Sequence, residues 1–192
     1  MSDMQIAYAP HRFTVDDFHR MSDAGYFAPD ARVELLDGQF YETVVSMNPP
    51  HAVSVQRLNV ALVRRLGDVA TIRCQLPVIL GEYSEPLPDF ALVRPNSREY
   101  LDGHPQTDDV FFLVEVSDSS HDQDRRLKAP LYAHHGVREV WLVDLVDDLV
   151  VAYRDPRADG FAIVTVARRG ETIAPLAFPG IRVPVDEMLP PR

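Results

Sequence analysis

Two carboxylates stand in runs that are otherwise apolar. Asp89 follows Pro88 and leads into Phe90-Ala91-Leu92-Val93, and Glu115 closes the run Phe111-Phe112-Leu113-Val114. A carboxylate in such a run is costly to bury unless it is paired or bound to a metal. Two of them on adjacent strands can converge on one divalent cation, with a backbone carbonyl as a further ligand. Ligation by oxygen alone suits Mg²⁺ or Mn²⁺. Each acid also has a simpler explanation: Pro-Asp is a common way into a strand, and a glutamate at a strand end can reach water.

Asp124, Lys128 and Tyr132 are spaced by four, so on a helix they share one face, with Leu127 and Leu131 as a neighbouring apolar stripe. A solvated Asp–Lys pair accounts for the first two equally well. Pro130 should kink this helix or mark its first turn. Lys128 is the only lysine beside eighteen arginines. A compact ammonium and a planar guanidinium do different work, so a lone lysine points to a place where arginine cannot serve.

The elements that must position these groups follow from pattern. Thr14 with Asp17 marks a helix start, Val15, Phe18 and Met21 recur at helical spacing, and Gly25 can end the helix. Residues 32–36 and 39–45 flank Asp37-Gly38, a strong hairpin signal. An amphipathic helix is predicted from near His51 to Gly67, carrying Val55, Leu58, Leu62 and Leu66. Strands are predicted at 71–75, 77–80, 89–93 and 110–116, the last central and buried on both faces. Residues 94–109 read as a loop with a short helix, and 117–136 as a loop followed by a helix. Further strands are predicted at 139–144, 149–154 and 161–167, and an edge strand at 181–183. The sum is an α/β (α+β) mixed β-sheet with two main helices and added hairpins. No linker divides the chain, so 1–192 read as a single domain with frayed ends at 1–10 and 186–192.

Composition narrows the classes. The chain has 192 residues, 46% hydrophobic and 25% charged, the mix of a globular protein. No apolar run approaches the roughly 18 residues of a membrane span, and the N-terminus is not that of a secretory signal. Cys74 is the single cysteine, so no intrachain disulfide can form, which suits a reducing cytoplasm. The net charge of −10 argues against indiscriminate coating of nucleic acid, but leaves room for a polyanion held through metal ions and a local basic patch.

Several blocks together resemble the Uma-two family of restriction-endonuclease-like proteins. They are Glu34 in RVELLDG, His51 after Pro-Pro, QLP at Gln75, LPDFALV at Asp89, FFLVEVSDSS at Glu115, DRRLKAPLYAHHGVREVWLVD around Lys128, and VVAYRDP. The resemblance covers about residues 12–155 and leaves a C-terminal strand extension, 156–192. It implies the fold of the PD-(D/E)xK nucleases, a mixed sheet flanked by helices, with Asp89 as the PD aspartate and Glu115 as the (D/E). The xK element departs: Ser117 stands two residues after Glu115. The resemblance suggests that the lysine role has moved to Lys128, and that Glu34 is the additional upstream acid.

The resemblance thus implies a Mg²⁺- or Mn²⁺-dependent endonuclease acting on DNA. Asp89, Glu115 and the Val116 carbonyl hold the metal, Glu34 completes a ligand or holds a metal-bound water, and Lys128 orients the attacking water. His51, Gln75, Asp124 and Tyr132 are candidates for substrate contact. Arg57, Arg64, Arg65, Arg125 and Arg126 are candidates for phosphate contact, with solvated helix faces as the simpler account. Such nucleases are commonly homodimers, since a duplex has two strands to cut, and hairpin 140–153 is the candidate edge for association. The alternative is a catalytically silent nuclease-like fold serving as a nucleic-acid or protein binding module, which the missing xK and the net charge favour.

Overall fold

The computed structural model describes residues 9–42, 48–118 and 122–192, and of 122–126 the backbone alone. The first helix, α1 (Val15–Asp23), starts where Thr14 and Asp17 cap one another: the Asp17 N–H donates to the Thr14 hydroxyl, and the Thr14 N–H donates back to the Asp17 carboxylate. The hairpin β1 (Val33–Leu36) and β2 (Gln39–Glu42) turns through Asp37 and Gly38, both with positive φ. A Cβ on Gly38 would sit 2.6 Å from that of Arg12, so only glycine fits. The predicted continuation at 43–45 lies outside the described residues.

Helix α2 spans Pro49–Leu66, beginning two residues before the expected start. Asn48 caps it, and Pro49 and Pro50 occupy its first turn, where a missing N–H costs nothing and the ring pre-sets φ. A six-stranded sheet follows: β3 (Thr71–Cys74), β4 (Phe90–Val93), β5 (Val110–Ser117), then, after α3 (Asp122–His134), β6 (Glu139–Asp144), β7 (Leu149–Arg157) and β8 (Gly160–Arg168). All neighbours are antiparallel except β5 and β6. That parallel pair needs a crossover, which α3 supplies. Pro130 lies inside α3, well past its first turn.

Strand alternation divides the core. Phe90, Leu92, Phe112, Val114 and Trp141 pack with Leu58, Leu62 and Leu66 of α2 on one face. Ala91, Leu113 and Val140 pack with Tyr132 of α3 and with Val78 and Leu80 on the other. Each large side chain buried this way is worth about 1.5–3 kcal/mol. The Phe112 and Trp141 rings meet at 4.7 Å in the middle.

Four expectations are corrected. Residues 77–80 form no strand: Val78 and Leu80 donate to Pro86 and Ser84 farther along their own loop, and Ile79 to Pro105 in another, with a single bridge at Ile79. The edge strand expected at 181–183 is β10 (Val183–Pro184), which pairs with β9 (Thr172–Ile173) in a sheet of its own. The C-terminal end expected to fray is anchored, with Met188 and Leu189 fully buried among the residues that pack on α2. Hairpin 140–153 offers no edge, because β6 lies inside the sheet and β7 is covered by β8, the true edge. Of the N-terminal end, residues 1–8 lie outside the described residues.

Candidate active site

The N-terminal end of β4 and the C-terminal end of β5 lie side by side, with Phe90 opposite Val114. Asp89 is fixed there by neighbours on three sides. The Val116 N–H donates to its Oδ2 at 2.9 Å, Gln75 Nε2 donates to its Oδ1 at 3.2 Å, and His51 Nε2 faces Oδ2 at 3.4 Å. Burial pushes the Asp89 carboxyl up, but His51 and the two hydrogen bonds outweigh it, and the net shift is down. Gln75 holds this position from a left-handed backbone, φ 53°, with its own N–H on the Asp89 carbonyl at 2.9 Å. Such strain in a non-glycine residue gathers at functional sites.

His51 reaches Asp89 because α2 starts where it does. Asn48 accepts the His51 N–H at 3.0 Å and donates to Asp118, which lies just past β5. The cap therefore ties the helix start to the strand that carries Glu115. The hydrogen bond to Asp89 raises the His51 pKa against the opposing effect of burial, while His51 Nδ1 is buried without a partner.

Glu115 meets α3. The Tyr132 hydroxyl donates to its Oε1 at 2.6 Å, and Lys128 Nζ lies 3.5 Å from the same oxygen. Burial drives the Glu115 pKa up to about 7; Lys128 opposes this, and the nearby charges of Asp89 and Glu34 add to it. Lys128 also sits 2.9 Å from Glu34 Oε1. Glu34 arrives from hairpin β1–β2 and accepts the Leu87 N–H at 2.6 Å. Leu87 stands between Pro86 and Pro88, neither of which has an N–H to give. Glu34, Lys128 and Tyr132 are all buried.

The fold thus brings Glu34, His51, Gln75, Asp89, Glu115, Lys128 and Tyr132 together from six segments of the chain. Tyr132, expected to touch substrate, has no exposed surface and instead holds Glu115. The side chains of Asp124, Arg125 and Arg126 lie outside the described residues. Arg57 and Arg65, candidates for phosphate contact, instead bind the C-terminal turn through the Asp186 carbonyl and Glu187. Asn48 and Asp118 were not anticipated, although an asparagine directly before Pro-Pro is a readable cap signal.

Among the described residues no three His, Cys, Asp or Glu side chains form a ready cage for a metal ion. The donors present still fit a hard dication. Mg²⁺ commonly takes one or two carboxylates and completes its shell with water and substrate phosphate, and Asp89 and Glu115 supply two carboxylates, Glu115 raised first by burial and further by the Asp89 charge.

Comparison with known proteins agrees with this architecture. The model of the Uma2 family, described as "Putative restriction endonuclease", matches residues 15–186. A solved structure described as a putative nuclease belonging to DUF820, from Anabaena variabilis, superposes with a TM-score of 0.68 over 92% of this chain and 97% of that one, at 15% sequence identity. No curated protein matches. Among the described residues no helix is long and apolar enough to cross a membrane.

Proposed function

The chain belongs to the Uma2 family, and on that premise we propose that it is a divalent-metal-dependent endonuclease hydrolysing phosphodiester bonds in DNA. One observation carries the reading. The sole lysine lies 2.9 Å from Glu34 and 3.5 Å from Glu115, which supports giving an amine from a helix the role the xK motif gives to one on a strand. That favours an enzyme over a silent binding module.

Asp89 and Glu115 would hold Mg²⁺ or Mn²⁺, assisted by the Val116 carbonyl, and Glu34 would hold a further ligand water. When bound, such an ion lowers the pKa of an attacking water and offsets charge on the phosphoryl oxygens. Lys128 orients that water and adds positive charge beside the reacting group. Its contacts with Glu34 and Glu115 fix the ammonium, and an arginine fork would need more room than this buried corner offers. His51 and Gln75 keep Asp89 ionised and aimed. His51, beside Asp89 and charged more readily than a free histidine, is placed to meet a phosphate oxygen. Tyr132 locks the Glu115 rotamer.

Cutting both strands of a duplex calls for two such sites, hence a homodimer, which sedimentation velocity would read. The single thiol, Cys74, suits work in a reducing cytoplasm.

The test is cleavage of supercoiled and linear DNA by the purified protein with Mg²⁺ or Mn²⁺. The reading expects metal-dependent nicking that EDTA stops and that Lys128→Met and Glu115→Gln abolish while the fold is kept. Binding of DNA without cleavage in either metal would replace this reading with the binding module.

A further inference from the structure

Among the described residues outside the acid cluster, one buried cation lacks a carboxylate partner. Arg73 on β3 stands opposite Ala91, on the face shared by Asp89, and its side chain is nine-tenths buried at 9% exposure. Among the described residues no carboxylate reaches it. Its contacts are His104 Nδ1 at 3.3 Å and the face of Tyr100, 5.6 Å from the ring centre. Its Nε is buried without a partner. Arg57 and Arg169 also leave Nε without a partner, but both hold oxygen acceptors: Arg57 the Asp186 carbonyl at 2.6 Å, Arg169 the Asp148 carboxylate at 2.7 Å. Arg73 has a nitrogen and a ring.

A guanidinium cannot escape burial by losing its proton, and a buried charge without a partner is costly. Its neighbours present donors as well. With Nδ1 facing Arg73, a neutral His104 carries its proton on Nε2 and can donate from there. Burial and the adjacent Arg73 both keep His104 neutral. The His19 ring lies 6.3 Å from that of His104 and is held from behind by Glu85 at 2.7 Å. His19 remains 44% exposed, which leaves the cluster open to water on that side.

We infer that Arg73 and His104, with His19 at the mouth, bind a phosphoryl oxyanion on the sheet face that carries Asp89. Arg73 lies on β3 two residues before Gln75, the residue that holds Asp89. A backbone phosphate beside the cut site and a free phosphate are therefore both sources of the required group. The need of Arg73 for an anion does not depend on the nuclease reading.

The experiment uses the full-length, metal-free protein with ¹⁵N-labelled histidine, titrated with inorganic phosphate at constant pH against chloride of equal ionic strength. His104 and His19 ring signals should shift saturably with phosphate and not with chloride. Arg73→Met should weaken the response at least tenfold, whereas Lys128→Met should leave it unchanged, which separates this site from the acid cluster. If Arg73→Met does not fold, Arg73→Lys, which keeps the charge but loses the fork, should still weaken binding about tenfold. No shift beyond that of chloride, or an equal response in a folded Arg73 variant, overturns the inference. An oligothymidylate without terminal phosphates distinguishes the sources. The same His104 shift assigns the site to a strand phosphate, and a shift with inorganic phosphate alone assigns it to the free ion; either sustains an oxyanion site.

Discussion

Two glutamates sit at the ends of buried strands and do opposite things. Glu139, at the start of β6, is completely buried, yet three donors serve it: Trp141 Nε1 and Arg154 Nε at 2.8 Å each on Oε1, and the Leu176 N–H at 2.6 Å on Oε2, with Arg154 Nη2 also 2.7 Å from Oε1. Glu115, near the end of β5, has one short hydrogen bond and one lysine at 3.5 Å, and burial, with the charges of Asp89 and Glu34 adding to it, pushes its pKa to about 7. A buried charge with both oxygens hydrogen-bonded and a guanidinium beside it is a structural tie. A buried charge crowded by its own kind is a site built for something not yet bound. Both glutamates adjoin apolar runs in the sequence, and only their surroundings separate them.

The sharpest way to break the contrast is substitution at both. Glu115→Gln should lower metal-dependent cleavage at least a thousandfold, about 4 kcal/mol in barrier, in a plasmid-nicking assay. Equal activity would place the chemistry elsewhere. Glu139→Ala should act on stability, since it strands Arg154 and two N–H donors. A loss of about 3 kcal/mol is expected, a drop in Tm of about 6–12 °C, read by calorimetry. An unchanged melt would mean that Glu139 is no tie.

A smaller effect distinguishes the two acids by pH. The folded-state pKa of Glu115 is raised from 4.5 to about 7, so between those values the folded protein binds more protons than the unfolded chain. Its stability contribution therefore falls as pH rises from 4.5 to 7 and stays lower above. Glu115→Gln cannot ionise. In metal-free buffer at pH 8 it should melt higher than wild type by about 3–6 °C, a gain of ~1–2 kcal/mol, and near pH 4.5 the difference should vanish. A constant difference across that range would contradict the raised pKa of Glu115. The smallest expected change is at His51: Asp89→Asn should bring its raised pKa back toward 6.5, as read by NMR titration, because the Asp89 contact is the main cause of the shift.

What could be read in the sequence was local. The Thr14–Asp17 cap, the Asp37-Gly38 turn, the α2 stripe and the strands at 110–116 and 139–144 all express short-range rules, and all appear in the fold. Asp89 and Glu115 stood out because a carboxylate in an apolar strand is a short-range anomaly. What misled was long-range. Residues 77–80 look like a strand, but Val78 and Leu80 bond within their own loop and Ile79 reaches Pro105 in another, so no ladder forms. Met188 and Leu189 look like a loose end, yet they complete a core more than a hundred residues away in sequence, where Ser54 Oγ donates to the Met188 carbonyl at 2.7 Å. Lys128 came through the resemblance to a family, since spacing alone could place it on a helix face but not beside Glu34. The link from Asn48 to Asp118 needed both partners in space to be visible.

The central claim is that Asp89 and Glu115 act as one pair to hold a hard dication. Mn²⁺ binding by the purified protein, followed by water-proton relaxation, tests it most directly. The account predicts saturable binding in wild type, lost in Asp89→Asn and in Glu115→Gln while both variants stay folded. Binding that survives in both, or no binding in wild type with DNA present, would contradict it.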